Sequence, residues 1–571
     1  MAGEGGIAKS ALAHDGDLVE DYPARPWLLA GLGGVAGLIV HLLLDVDGEE
    51  AWRYALASFT FFGFAASSFV LGSRRWIEVT VFALGLGAVM GGLAYLAVDA
   101  GDRVAGEEFA FAAGVFFSLL AVPLFQADFH RRRWATPYEE THFHVWTDAL
   151  TAGGALLFVA LSWLLLWLLH ALFSLIGIEI IEGMIETTGF VGLFMGATYG
   201  AAMGVLRNQL GIIGTLQGVV MLVFSLLAVP FALAILIFLF ALLASGGSAL
   251  WEATDDATPV LLSCALGCFV LANAVVRDSD EARSSNVAMQ VAAIWLSAAI
   301  FPLTVFAAIS MGIRIDQYGF SPERLWALVA TAIATAYGLA YWAGLARGRL
   351  AGWSRYLRRA NLHLAVASCV IALLLALPLV DFGGISARQQ VARLDAGEVS
   401  AEEFDYAALR WDFGDAGREV LRRLARREGQ VGEKAQAALD EQSPADRYRE
   451  LGSEEHRRAN MQVEARDAYW EGRIREHFAR LGWHCDEPCF AIDLGFDQDG
   501  ERRVKLIEGA QVTDWFLERE NDTEPFEPDI VLPRRTAGPL REGSTVEVRE
   551  WQGRQIYVDG QPMGDPFPAE E

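Results

Sequence analysis

Eleven apolar runs, each about 17 to 34 residues long against the roughly 20 that a helix needs to cross a bilayer, constrain this chain more than any other feature. Backbone amides in lipid must be satisfied within the crossing segment, so such runs fold as helices; barrel strands would be shorter and would alternate apolar with polar. The runs are Trp27–Leu44, Ala51–Leu71, Trp76–Val98, Phe109–Phe125, Ala149–Ile178, Gly189–Leu206, Gly211–Ala244, Pro259–Val276, Val287–Ile313, Leu325–Ala346 and Leu362–Val380. The seventh would be roughly 50 Å long, short of the about 40 residues that two crossings require, so one helix tilted or kinked at Pro230 is expected.

Loop charge supplies the orientation. Arg25, Arg74 and Arg75, Arg131 to Arg133, Arg207, Arg277, Arg283 and the arginines between 347 and 359 occupy alternate loops. Acids dominate the others: Asp45 to Glu50, Asp99 to Glu108, Glu179 to Glu186 and Glu252 to Asp256. Few arginines stand among these acids, and the one weak loop is that between the ninth and tenth runs, where Arg314 and Arg324 face out. Because Lys and Arg stay on the cytoplasmic side, the N-terminus is expected inside and everything from Asp381 onward outside, in the periplasm beyond a bacterial inner membrane. The stretch before Trp27 is long and carries acids, so a retained anchor rather than a cleaved signal is expected. Four regions follow: a cytoplasmic segment 1–26, a transmembrane helical domain 27–380, a periplasmic helical region 381–487 and a periplasmic strand-rich region 488–571. The expected fold is thus mainly α, a polytopic bundle of about eleven spans with a C-terminal α+β domain. With 53% hydrophobic residues and a net charge of −26, the lipid bilayer is the partner the composition demands, and nucleic acid is disfavoured.

Inside the membrane, Gly192, Gly196, Gly200 and Gly204 recur every four residues and so share one helix face. Such a strip lets a second backbone approach with no side chain between. A partner helix within the chain is the expectation, with a second copy as the alternative. No Asp or Glu lies in the middle third of any run. His170 is the deepest ionisable side chain, about eight residues or roughly 12 Å from the outer end of its run. It reads either as a polar ligand or proton site or as a neutral ring bonded to a neighbouring helix.

No phosphate-cradling glycine loop, zinc-ligand pair or nucleophile elbow is present, so no catalytic residue, metal ligand or cofactor is assigned. His142 and His144 tempt a metal reading, but a spacing of two puts them on opposite sides of a helix. Cys264, Cys268 and Cys369 lie in apolar runs and are expected to pack there. Cys485 and Cys489 flank Asp486-Glu487-Pro488 in the external tail. An oxidising compartment favours a local disulfide between them, with free thiols or a metal site involving His484 as alternatives.

From Ala401 to about Leu481 the tail reads as helices, one of which sets Val420, Leu421 and Leu424 beside a row of arginines. It suits a domain helix or one lying on lipid headgroups. Beyond Pro488, strands are expected at Cys489–Phe496, Arg502–Ile507, Thr545–Trp551 and Arg554–Val558, the last pair joined by Gln552-Gly553. Asp497-Gln498-Asp499-Gly500 reads as an acidic turn; Leu506 stands where a calcium loop needs its closing Glu.

Three segments, Leu172 to Ile178, Tyr318 to Trp326 and Asp381 to Gln390, with the stretch from Glu403-Phe404-Asp405-Tyr406 to Leu424, resemble a bacterial membrane protein family catalogued as domain of unknown function 4153. The resemblance implies a polytopic inner-membrane protein and transfers no catalytic residue. Within it, Ser321-Pro322 has the form of a helix start. Asp381, Ser386, Arg388 and Gln389, where the chain leaves its last span, are candidates for docking the tail or for holding a ligand. The function that fits these features is a non-enzymatic envelope scaffold, sensor or accessory subunit with a periplasmic or membrane protein partner. Its rival is a permease for an uncharged or lipid-like solute, built around broken helices and a cavity near His170.

Overall fold

The structure, a computed structural model, describes residues 22–46, 48, 50–72, 75–245, 257–441, 454–465, 467–481, 484–485, 488–496, 502–508, 511–517, 546–550, 554–558 and 561–567. Two compact units divide the chain, Met1–Ala435 and Gln436–Glu571.

The first unit is a bundle of long helices: α1 Arg25–Leu44, α2 Ala51–Val70, α3 Trp76–Ala100, α4 Glu107–Gln126, α5 Tyr138–Ser174, α6 Phe190–Asn208, α7 Leu210–Ala244, α8 Thr258–Val276 and α9 Val287–Tyr318. After these come α10 Pro322–Arg349 and α11 Gly352–Ala376, separated where Arg349 leaves helical backbone at φ 49°. Ten of the eleven are long and apolar enough to cross a bilayer. The other, α2, is diluted by Arg53, Ser58, Thr60, Ser67 and Ser68. It nevertheless runs antiparallel along α3, with a Cβ on Gly91 meeting Ala55 O and one on Gly87 meeting Phe59 O. Ser58 Oγ, which would be costly to bare in lipid, donates to Met90 O at 3.1 Å.

Several helices outrun their apolar sequence. α5 begins at Tyr138, eleven residues before the expected Ala149, because Thr141, His142 and Thr147 are buried by neighbouring helices. α11 begins ten residues before Leu362, since Trp353 and Leu357 close the end of the main core. That core brings α7 to α11 together around Leu261, Leu296, Leu303 and Tyr341. α7 is one continuous helix with Pro230 inside it. Asn286 and Ser321 cap α9 and α10 by accepting from backbone amides, and Pro322 opens α10 where its missing N–H costs nothing.

Three further helices, α12 Phe382–Ala396, α13 Tyr406–Trp411 and α14 Gly414–Leu424, belong to this same compact unit. In α14, Val420, Leu421 and Leu424 are buried, so its apolar stripe packs on protein. α15 Gln430–Asp440 spans the boundary between units.

The second unit contains α16 Glu454–Asn460 and α17 Ala468–Arg480 with a four-stranded sheet: β1 Met461–Glu464, β2 Cys489–Phe496, β3 Arg502–Glu508 and β4 Gln511–Leu517, in that order. β1 pairs parallel with β2, and β2 to β4 form an antiparallel meander. β1 lies inside the stretch that the sequence suggested was helical; four residues are too few to show a period, and the pairing with β2 decides their state. α17 crosses between β1 and β2 and buries Ile474 and Phe478 against Met461, Ala491, Val504 and Trp515. A second sheet joins β5 Val546–Glu550, β6 Arg554–Val558 and β7 Gln561–Phe567. Gln552-Gly553, Asp497–Gly500 and Glu252–Asp256 lie outside the described residues.

Candidate functional site

The glycine strip of α6 lies against α1. A Cβ added at Gly192 would overlap Gly37 O, one at Gly196 would overlap Gly33 O, and one at Gly200 would overlap Leu29 O. Gly204 faces Pro26 in the same way, so two antiparallel backbones touch over four turns. Gly33 and Gly37 were missed in the sequence, although their own spacing of four repeats the signal on α6.

On the acidic-loop side, α12 clamps the end of α9. The last carbonyls of a helix have no partner within it, and here α12 provides them. Arg393 Nη2 donates to Asp316 O and Gln317 O at 3.0 and 2.9 Å, and Gln390 Nε2 to Tyr318 O and Phe320 O at 2.7 and 2.9 Å. Gln389 Oε1 accepts from Phe320 N at 2.9 Å. Asp381 caps α12 through Gly384 N, Arg388 is exposed, and Ser386 is fully buried with its hydroxyl unbonded. Among the four sequence candidates, then, Gln389 reaches the bundle. Gln390 and Arg393 carry most of the polar contact; being three apart on α12, they face one way, which a helical reading of 382–396 would have revealed. Arg418 on α14 donates to Asp102 O at 2.7 Å, and Gly414, at φ 63°, sits on Arg103 O.

On the basic-loop side, four helices meet in a buried polar knot. Asn361 (α11) donates to Asn273 Oδ1 (α8) at 2.7 Å and to Tyr138 Oη (α5) at 3.2 Å, while its Oδ1 accepts from Tyr341 (α10) at 2.9 Å. Asn273 Nδ2 closes the ring on Tyr341 Oη at 2.7 Å. Below it, Arg358 pairs with Asp280, which also accepts from Ser354 at 2.8 Å. The Arg358 guanidinium holds the Asp280 carboxyl below the usual carboxylate range, outweighing partial burial, with Ser354 helping. No charge or motif marked these residues in the sequence; isolated Asn and Tyr are common near span ends.

The N-terminal turns of α5 serve two neighbourhoods. His142 is buried beside the knot, 5.6 Å from the Tyr138 ring, with neither ring nitrogen hydrogen-bonded. His144 lines a pocket between the ends of α1 to α6. His170 lies on the far half of α5, which is mostly exposed at the bundle surface; it stacks edge-on with Trp167 at 5.6 Å, and its Nδ1 is unbonded. Among the described residues no cluster of three or more His, Cys, Asp or Glu side chains is arranged to hold a metal.

In the second unit, Cys485 and Cys489 are joined by a disulfide and buried. Glu508 ties this corner together, contacting His484 Nδ1 at 2.6 Å and accepting from Cys485 N.

The helical bundle defines a multi-pass integral membrane protein. The family model for Domain of unknown function (DUF4153) matches residues 54–424, from α2 to the last residue of α14, and the chain belongs to that family. No curated protein and no solved structure matches the chain.

Proposed function

We propose that this protein is a non-enzymatic scaffold or accessory subunit of a bacterial inner membrane, with its N-terminus cytoplasmic and the region after Val380 in the periplasm. The observation that carries the reading is the clamp of α12 on α9: Gln389, Gln390 and Arg393 fix the chain's exit from the membrane to the bundle, as a platform for an external interaction domain requires. The alternation of basic and acidic loops supports the orientation, and the filled glycine crossing at α1 and α6 leaves no gap for a solute along that strip.

Two measurements test this. Alkaline phosphatase fused after Asp440 is expected to be active, and fused after Arg359 inactive; the reverse overturns the orientation. Mass spectrometry of the protein extracted with native lipid in polymer nanodiscs is expected to find a stoichiometric protein partner that is lost on deleting residues 436–571. A bound small solute with no protein partner would replace this reading with a permease.

A further inference from the structure

A pocket of about 170 Å³ opens between the basic-loop ends of α1 to α6. It is smaller than the roughly 300–1,000 Å³ of sites that enclose drug-sized ligands, and its walls come from the ends of the apolar helices. Its charges are unevenly matched. Asp128 is met by Arg75 at 3.1 Å, and Glu78 by Arg131. Arg207 is different: its Nη1 donates to Ser68 O and Leu71 O, both at 3.0 Å, and among the described residues no carboxylate stands within ion-pair distance of it. The guanidinium is thereby fixed in place by the end of α2; the Asp148 carboxyl acts on it only from beyond ion-pair distance, and the neighbouring Arg25, which also lines the pocket, adds positive charge. His144 adds an imidazole to the same wall. Opposite in character is Gln126, whose Nε2 is spent on Phe69 O and Asp148 Oδ1 at 3.0 and 3.1 Å, leaving its buried Oε1 an acceptor without a donor.

We propose that this pocket binds a phosphate diester whose alcohol arm ends in a hydrogen-bond donor, as in the headgroups of phosphatidylglycerol and phosphatidylethanolamine. The phosphate lies against Arg207 and His144, a charge-assisted contact for which a guanidinium fork is suited. The terminal hydroxyl or ammonium donates to Gln126 Oε1 and so removes an unsatisfied buried acceptor. Basic pockets between membrane helices on the cytoplasmic side suit headgroups for the same electrostatic reason. The site is independent of the tail, so it stands whether or not the scaffold reading does.

The test uses the full chain in detergent, titrated with dihexanoyl forms of phosphatidylglycerol, phosphatidylethanolamine and phosphatidylcholine and, separately, with inorganic phosphate, counting adducts by native mass spectrometry. Saturable binding of one equivalent of phosphatidylglycerol or phosphatidylethanolamine is expected, at least tenfold tighter than phosphatidylcholine, whose choline has no N–H or O–H to donate. Arg207→Gln and His144→Gln are each expected to weaken it tenfold or more, and Arg355→Gln, an exposed arginine outside the pocket, to leave it unchanged. His144→Gln keeps the carbonyl contacts of Arg207 and so remains informative if Arg207→Gln fails to fold. Binding of inorganic phosphate with the same dependence on Arg207, and none of lipid, would keep the phosphate site and assign it to a soluble source. Absence of saturable binding by either source, or binding indifferent to Arg207 and His144, overturns the proposal.

Discussion

Gly33 on α1 and Gly196 on α6 meet backbone to backbone, so closely that a methyl group on either would overlap the other's carbonyl oxygen. Because the obstacle is backbone rather than a movable side chain, Gly196→Leu should cost more than the about 1–3 kcal/mol of ordinary overpacking. A lowered melting temperature in detergent would register it. Gly92→Leu on α3, whose Cβ direction is open, is the matched control and should leave melting unchanged.

Arg393→Ala removes two charge-assisted bonds to the carbonyls ending α9. Hydrogen bonds to charged groups contribute about 1.5–3 kcal/mol each, and the loss should appear as faster proteolysis between α11 and α12 in intact vesicles. Arg388→Ala, an exposed side chain on the same helix, should cut no faster than wild type.

Asn361→Leu would leave the Tyr341 hydroxyl without its acceptor and Asn273 Oδ1 without its donor in the interior. Each buried group left unpaired costs about 1–3 kcal/mol. Thermal melting should fall accordingly, and Asn361→Gln should not restore it, because the ring of contacts is set by side-chain length.

The Arg358–Asp280 pair gives the basic-loop side an acid-sensitive arm. Since the Asp280 carboxyl titrates lower in the folded protein than in the unfolded chain, its contribution is complete above its unfolded value of about 3.9. It is lost as pH falls through the lower folded value. Melting measured against pH should fall below about 4, and Asp280→Asn should remove that part of the fall while lowering stability at neutral pH.

Reducing the Cys485–Cys489 bridge releases a loop with a sequence separation of 4. Closing so short a loop restricts the unfolded chain by about 2 kcal/mol. Trp515, packed in the same core as both cysteines, should report the change by fluorescence: a reductant is expected to lower the unfolding midpoint of the second unit and to have no effect on Cys485→Ser/Cys489→Ser.

Length and apolarity alone located the membrane helices, because a span must satisfy its own backbone and either bury each side chain in protein or expose it to lipid; that demand is local and can be read residue by residue. The glycine periodicity of α6 was legible for the same reason, as was the family likeness of the segments ending at Leu424. The partner of that strip, the clamp of Gln390 and Arg393 on α9, the Asn–Tyr knot and the pairing that makes Met461–Glu464 a strand were decided only by tertiary structure. Each joins residues far apart in the chain, 72 positions for Gln390 and Tyr318 and 88 for Asn361 and Asn273. A lone Asn or Gln looks the same in sequence whether it meets lipid, water or another helix. What distinguishes them is the cost of leaving a polar atom unpaired, and that cost is set only once the helices have packed.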